Sequence, residues 1–396
     1  MAQTRTIAIV GGGLAGLAAA NALAGHGFEV DVFEQSASLS EVGAGINISP
    51  QAVKVLRALG LGDRAAAVGN ASSGIFSCNM QTGEPVEFFD RSQAALRYGA
   101  PFLIFHRADL LAALASGIDP ARIHLKHRLT GIADEGSRVS LAFENGERRS
   151  ADIAIAADGI HSAVRHLLYG PDQPAYTGQM VWRALLDGRD VPSDIIAPSG
   201  ITQWLGPGCH LLAYYLRGKD VVNIVTQEDT AKWVEEGWSI PGDPDEMRAS
   251  FPDPEPKLKT LLGVVTKCSK WGLFTRPLTA EWGRGRILLI GDAVHAMLPN
   301  AGQGACMAFE DAYVLGRWLD VRRDDPQEAF RSFLRVRVPR VHAVQRISAL
   351  HAKLKHMRDR EAQKTAAKAG GNRLEWIWTY DVVAGWDQVP EVPGIA

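Results

Sequence analysis

Thr6-Ile7-Ala8-Ile9-Val10 leads without a break into Gly11-Gly12-Gly13-Leu14-Ala15-Gly16, and the Ala-rich stretch Leu17 to Gly25 separates these from Glu29-Val30-Asp31-Val32-Phe33-Glu34. The first run is short, apolar and rich in β-branched residues, which reads as a buried strand. The glycines fit G-x-G-x-x-G after a strand and at the opening of a helix, the context that gives this spacing meaning. The first glycine allows the turn, the second lets backbone amides approach a pyrophosphate, and the third lets the helix lie against the strand. The helix start then offers free N–H groups and a positive dipole end to phosphates. Glu34 closes the second strand 23 positions after Gly11, where a carboxylate can accept both hydroxyls of an adenosine ribose. Together these features predict a βαβ dinucleotide site, against the competing reading of a glycine turn with no ligand. They leave FAD and NAD both open.

Working outward, residues 47–68 read as helical, with Val53, Leu56 and Leu59 at helical spacing. Residues 74–99 read as strands broken by turns, and Arg107 to Leu114 as a helix. Three or four strands fit 121–157, with Glu144-Asn145-Gly146-Glu147 as a hairpin turn. From about 177 to 274 prolines and tryptophans recur, and 210–216 and 221–226 alternate, which predicts an antiparallel sheet. Residues 286–290 return to a buried strand, followed by a helix through about 319. Residues 327–369 are helical and basic, with Arg331, Arg335, Arg337, Arg340, Arg346, Lys353, Lys355, Arg358 and Arg360. That run reads as a solvated face, with a partner or anion surface as the alternative. The predicted division puts a discontinuous nucleotide-binding domain at 1–73, 100–176 and 275–325, a substrate domain at 74–99 and 177–274, and a C-terminal helical segment at 326–396.

Bulk properties narrow the function classes. With 396 residues, two or three folding units and a large core are expected. Lys plus Arg is 42 and Asp plus Glu 44, so the chain lacks the basic surplus that nucleic-acid binding requires. Cys78, Cys209, Cys268 and Cys306 form no C-x-x-C pair, which points away from a metal site and a redox dithiol and towards a reducing cytoplasm. Arg5 and the apolar stretch ending Ala22-Leu23-Ala24 mimic a signal peptide, but the glycine loop accounts for the same residues. No continuous apolar run of 18 residues predicts a membrane span.

Two further segments settle the cofactor. Strand 151–157 ends in Asp158-Gly159-Ile160-His161-Ser162-Ala163-Val164-Arg165. Strand 286–290 ends in Gly291-Asp292-Ala293-Val294-His295, followed by Pro299, Gly302-Gln303-Gly304 and Glu310-Asp311. Each puts an acid just past a buried strand, where ligands of open α/β sheets sit. In this order, with the N-terminal fingerprint, the motifs resemble the single-component FAD-dependent aromatic hydroxylases of the para-hydroxybenzoate hydroxylase type. Gly43-Ala44-Gly45-Ile46-Asn47-Ile48-Ser49-Pro50, Leu59-Gly60-Leu61 and His106-Arg107-Ala108-Asp109-Leu110 are similar to the salicylate hydroxylase and 3-hydroxybenzoate 6-hydroxylase branch. The resemblance covers nearly the whole chain. It implies an α/β fold: a Rossmann-like FAD-binding domain, an inserted antiparallel-sheet substrate domain and C-terminal helices.

The resemblance also implies roles. Gly11, Gly13, Leu14, Ala15 and Gly16 would hold the FAD pyrophosphate, Glu34 the adenosine ribose, and Arg107 phosphate or ribose. Asp158 would help hold the flavin and shape the nicotinamide path, and Asp292 would bind the ribityl hydroxyls. Capping carboxylates are the competing reading for both acids. The helix beginning near Gly302, Gly304 and Ala305 would aim its free amides at the pyrimidine edge of the flavin, which becomes anionic on reduction. FAD would be non-covalent. With no second G-x-G-x-x-G, NADH or NADPH would bind transiently as co-substrate.

On the substrate side, His210, Leu212, Tyr214 and Leu216 share one face of an alternating strand. His210 and Tyr214 would lie ~13 Å apart by Cα, wide enough to flank one aromatic ring. The implied reaction transfers OH from a flavin C4a-hydroperoxide to a phenolate ring. A histidine is tuned to take the phenol proton near pH 7. The alternative is a half-buried structural histidine, and His295 is a second candidate for a direct role. Pro299 stands where the family uses a proline carbonyl, and Arg183 could meet a substrate carboxylate or tie the two domains together. The expected partners are a small aromatic substrate, NAD(P)H and O2, for a monomer or homodimer with no metal. Alternatives are an FAD reductase or dehydrogenase without oxygen insertion, a nucleotide-binding sensor, and a hydroxylase or epoxidase of a larger quinolone or carotenoid.

Overall fold

The structure is a computed structural model that describes residues 5–39, 45–230, 240–359 and 373–393. Gly43, Ala44 and residues 360–369 of the basic stretch lie outside the described residues. The N-terminal reading holds: Thr6–Val10 is a strand, Leu14–Gly25 a helix and Glu29–Phe33 a strand parallel to the first. The helix is buried on nearly every side, from Leu17 and Ala18 to Leu23, so it needs small residues all round rather than one apolar stripe. It lies between the sheet and the later helix Gly304–Val321.

These strands belong to a six-stranded sheet in the order Gly283–Arg284, Ile287–Leu289, Ile153–Ala156, Thr6–Val10, Glu29–Phe33, Ile123–His124. All its pairs are parallel except the first. Three strand ends therefore point the same way, at Gly11, Ala157 and Ile290, and the predicted acids follow two of them. Arg148–Ala151, Val139–Phe143 and Leu129–Asp134 form a separate antiparallel meander.

The second sheet has eight strands in the order Ile240–Gly242, Cys268–Thr275, Ala175–Asp187, Val221–Asp229, Cys209–Leu216, Ile201–Gly206, Gly74–Asn79, Pro85–Asp90. Its pairs are antiparallel save Gly74–Asn79 with Ile201–Gly206. Alternation decides its two faces. Cys209, Leu211, Ala213 and Tyr215 enter a core with Met247, Leu258 and Leu261, from the helices Pro244–Ala249 and Pro256–Gly263 that cover this side. Leu212, Tyr214 and Leu216 turn the other way, onto Ile104 of the strand Leu103–His106. That second face lies against the small antiparallel sheet that Leu103–His106 forms with Gly45–Ile48 and Gly69–Ala71.

Two expectations need correction. Residues 47–68 are not one helix. Gly45–Ile48 pairs as a strand with Leu103–His106, and the helices Pro50–Ala58 and Gly62–Val68 are parted at Gly60, whose φ is +74°. The basic stretch is a 30-residue helix, Pro326–Lys355, but it is not simply a solvated face. Arg331, Arg335 and Arg346 are exposed, whereas Arg337 and Arg340 are both 0% exposed.

Candidate active site

The glycine loop is shaped by backbone contact. A Cβ on Gly16 would overlap the carbonyl oxygen of Gly11, so the helix can leave the strand this tightly only with glycine there. Gly13 opens onto free space, and as N-cap it gives no side-chain hydrogen bond, so the amides that begin the helix are left for a ligand. Leu14 and Ala15 form the first turn of that helix. Glu34 lies beside the loop. Its Oε2 accepts from Gly12 N at 2.7 Å and its Oε1 from Ser36 N at 2.8 Å, so the carboxylate holds the loop in shape. Its remaining lone pairs can meet ribose hydroxyls.

Asp292 opens a short helix, Asp292–His295, just past the strand Ile287–Leu289. Its carboxylate makes no hydrogen bond among the described residues and lies near Gly304, at the start of the helix Gly304–Val321. Arg107, at the N-terminus of Arg107–Ala115, faces it: burial pushes the arginine pKa down and Asp292 pushes it back up. Pro299 starts a 3-10 turn that Gly302 ends at φ +64°. Ala305 lies in the first turn of the helix Gly304–Val321, whose N-cap Gln303 offers no capping hydrogen bond, so those amides too are uncapped. An acceptor without a donor and two uncapped helix starts fit a dinucleotide carrying phosphate, ribityl and flavin groups.

Asp158 shows the helix-capping geometry that the sequence also allowed. Ser162 Oγ donates to its Oδ1 at 2.6 Å and Val164 N to its Oδ2 at 3.1 Å. Both oxygens thus serve the start of the helix Ala163–Tyr169, and burial raises the Asp158 pKa. A cavity of about 440 Å³ adjoins that helix, lined by His161, His166 and Arg276 among others.

A buried ion cluster fixes the Asp292 loop from behind. Arg337 Nε donates to Asp311 Oδ1 at 2.8 Å and Arg337 NH1 to Glu310 Oε2 at 2.5 Å. Arg340 grips Glu310 with two bonds, at 2.7 and 2.9 Å. The other oxygen of Asp311 meets His295 Nε2 at 2.6 Å and accepts from Gly291 N at 3.2 Å. His295 also packs on Trp282 and is 1% exposed, so its contacts are those of a packing residue. Cys306 is buried, accepts from Ser49 Oγ at 3.2 Å, and has its pKa pushed up to about 11 by burial.

The second face of the eight-stranded sheet carries the residues expected on the substrate side. Cross-strand register puts Leu212, Val225 and Arg183 in one row, His210 and Gln227 in the next, and Tyr214 and Asn223 on the other side. Arg183 is two strands from Leu212, ~10 Å at the usual spacing. Its guanidinium lies over the Trp271 ring at 4.2 Å and has no carboxylate partner among the described residues. Burial pushes its pKa down to about 10. A half-buried cation whose Nε has no hydrogen-bond partner is open to an anionic ligand, and its stacking on Trp271 equally suits a packing role. Tyr214 is 2% exposed, and burial raises its pKa. Gly45 lies against it, since a Cβ there would overlap the phenol ring, and Gly45 N donates to Asn223 Oδ1 at 2.9 Å.

His210 is buried and partnered: its Nδ1 lies 3.0 Å from Nε2 of His356. His356 Nδ1 lies 2.6 Å from Asp229 Oδ1, and Gln179 Nε2 donates to the same oxygen at 2.9 Å. Gln227 Nε2 donates to Gln179 Oε1 at 2.6 Å, and Asn300, next to Pro299, donates to Gln227 Oε1 at 3.0 Å. Sequence reading missed His356, Asp229, Gln179, Gln227 and Asn300, which come from four separate segments. The one local signal is that Asn223 and Gln227 are polar yet flank Val225 on one face of the strand Val221–Asp229. Among the described residues no group of three or more His, Cys, Asp or Glu could hold a metal, and no helix is long and apolar enough to cross a membrane.

Residues 3–348 match the family described as FAD binding domain. The chain is 35% identical to the 6-hydroxynicotinate 3-monooxygenase of Pseudomonas fluorescens over 352 residues, 88% of this chain and 91% of that one. It is 34% identical to the 3-hydroxybenzoate 6-hydroxylase of Klebsiella oxytoca over 345 residues, 86% of each. A salicylate hydroxylase solved as a substrate complex superposes with a TM-score of 0.83 at 25% identity, covering 99% of both chains.

Proposed function

The chain belongs to the FAD binding domain family and, within it, to the FAD-dependent aromatic monooxygenases, and from that premise we propose that it uses NAD(P)H and O2 to hydroxylate a small hydroxyaromatic carboxylate. Bound FAD, reduced by NAD(P)H, supplies the activated oxygen. The residues Gly11, Gly13, Leu14, Ala15 and Gly16 present amides to its pyrophosphate, Glu34 and Arg107 hold the adenosine side, and Asp292 takes the ribityl hydroxyls. The helix start at Gly302, Gly304 and Ala305 offers its dipole to charge that develops on the ring, a contribution of up to ~2 kcal/mol when partly buried. Asp158 supports this indirectly, by fixing the turn after its strand.

One observation carries the substrate assignment: His210, Tyr214 and a half-buried Arg183 with no carboxylate partner among the described residues share a single sheet face. A ring lying over Leu212 and Val225 would put its phenol towards His210 and its carboxylate towards Arg183. His210 takes the phenol proton, which makes the ring the better nucleophile. Tyr214 orients the ring, and the Pro299 carbonyl lines the reacting edge. The three named relatives act on 6-hydroxynicotinate, 3-hydroxybenzoate and salicylate, each a hydroxylated aromatic acid, which supports the same class here. All four cysteines are free, in keeping with a cytoplasmic setting where NAD(P)H is at hand.

The test is a screen of hydroxylated benzoates and hydroxypyridine carboxylates for stimulated oxidation of NADH and of NADPH, with products identified by mass. A substrate-dependent product carrying one added oxygen is expected. Nicotinamide oxidation with no oxygen in any product would make the protein a reductase instead.

A further inference from the structure

We propose that His356 and Asp229 are positioning residues for hydroxylation: together they set the ring tautomer of His210 and lead the proton it takes from the substrate out to solvent. The inference rests on the reading of His210 as the base and adds how that base is kept ready.

Three side chains from three elements line up. Asp229 ends the strand Val221–Asp229, with its side chain 44% exposed. His356 caps the C-terminal end of the helix Pro326–Lys355, is 6% exposed, and has its Nδ1 2.6 Å from Asp229 Oδ1. Its Nε2 lies 3.0 Å from Nδ1 of His210, which is 4% exposed. An ionised carboxylate only accepts, so the proton between Asp229 and His356 sits on His356 Nδ1. The neutral His356 then has a lone pair at Nε2, which accepts from His210 Nδ1–H. That leaves His210 Nε2 bare, and among the described residues it meets no other partner. The exposed acid, two rings away, thus decides that the buried histidine presents a lone pair.

The proton balance closes. The substrate hydroxyl gives a proton to His210 Nε2, His210 Nδ1 passes one to His356 Nε2, and His356 Nδ1 passes one to Asp229, which releases it to water. One proton enters and one leaves, no electrons move, both histidines end neutral, and the charge that stays in the interior is the phenolate's own. A lone histidine here would have to keep the proton's positive charge. Lys355 and His356 face His210, and beyond Lys355 lie Arg91 and Glu87. Burial, then Lys355, then His356 hold the His210 pKa well below its ordinary value, so a cation parked on this ring is disfavoured. The negative end of the long helix favours passing positive charge to His356 instead.

The test uses FAD-loaded enzyme labelled with 15N-histidine. Long-range 1H–15N correlation should show His210 protonated at Nδ1 and bare at Nε2, with this pattern lost in His356→Leu and in Asp229→Asn. In single turnovers with the aromatic acid found by the screen, both variants should hydroxylate roughly 10- to 100-fold more slowly, by analogy with losing general-base help. FAD content and substrate KM should hold. More of the NAD(P)H should end as free hydrogen peroxide, and the defect should shrink at high pH, where the phenol ionises unaided. Asp229→Asn is isosteric and partly exposed, so it answers the question even if His356→Leu folds poorly. A parent enzyme with the proton on His210 Nε2, or variants that match the parent rate across about pH 6 to 9 while His210→Ala does not, removes the relay alone. A His210→Ala enzyme that hydroxylates like the parent removes the base reading and the relay with it.

Discussion

Replacing Arg337 with Met tests whether the buried ion cluster holds the flavin-side loop. Arg337, Arg340, Glu310 and Asp311 are all 0% exposed, and two cations there balance two anions. Met fills similar space but leaves two carboxylates on one guanidinium. Breaking such a pair from one side costs about 3–5 kcal/mol, because an uncompensated charge stays buried. The geometry places this variant near the low end. Arg340 keeps its two-pronged grip on Glu310, so Asp311 becomes the orphan, and it retains His295 Nε2 at 2.6 Å and Gly291 N at 3.2 Å. A loss of about 3 kcal/mol is expected. Urea unfolding of the apoprotein, followed by tryptophan fluorescence, reads it without the added stability that bound FAD brings. The double variant Arg337→Met with Asp311→Asn removes the orphan charge and should recover at least about 1 kcal/mol of that loss. A single variant within about 0.5 kcal/mol of the parent, the range of an ordinary surface change, would refute the reasoning, as would a double variant no better than the single one.

The same cluster sets an acid limit. Burial pushes the Glu310 and Asp311 carboxyls up, but Arg340 and Arg337 for the first, and His295 and Arg337 for the second, hold both below their ordinary 4.5 and 3.8. Their stabilisation is therefore complete above those values and fades only as pH falls through the lower folded ones, and acid unfolding should begin at higher pH in Arg337→Met. Arg183→Met should raise the KM of a carboxylated substrate roughly 10- to 100-fold, the equivalent of a charged hydrogen bond of about 1.5–3 kcal/mol, with FAD content unchanged; an unchanged KM would return Arg183 to a packing role. Gly45→Ala should displace the Tyr214 ring and weaken substrate binding while flavin stays bound, and a parallel loss of FAD would show that Gly45 serves the cofactor instead.

Local signals carried the readable part of this chain. Strand, glycines, helix and acid fall within Thr6 to Glu34, and the alternation of Cys209–Leu216 already separates the core face from the face that carries His210 and Tyr214. Partners distant in sequence were not readable. His210 meets a residue 146 positions away, and His356 one 127 positions away, and no periodicity encodes such pairings. The two buried arginines did leave a trace. Arg337 and Arg340 are three apart on the stripe that carries Phe333, Val336 and Val344, and Glu310 and Asp311 interrupt an apolar helix. A charge count alone hides that placement, because exposed and buried arginines count alike. The break near Gly60 was missed for another reason: the apolar spacing of the two short helices runs on across it.

The division of the eight-stranded sheet has a bearing on how the protein is made. Its edge hairpin, Gly74–Asn79 with Pro85–Asp90, pairs next with Ile201–Gly206, which the ribosome delivers more than a hundred residues later. Asp292 comes 276 residues after Gly16, a gap of roughly 14–55 s at synthesis rates of about 5–20 residues per second. During that interval the glycine loop stands without the acid proposed for the ribityl chain, and for the first part of it the edge hairpin that carries Phe88 and Phe76 waits for its neighbouring strand. The vitamin-derived group can be captured in full only when translation is nearly over, so its supply acts on finished chains rather than on growing ones.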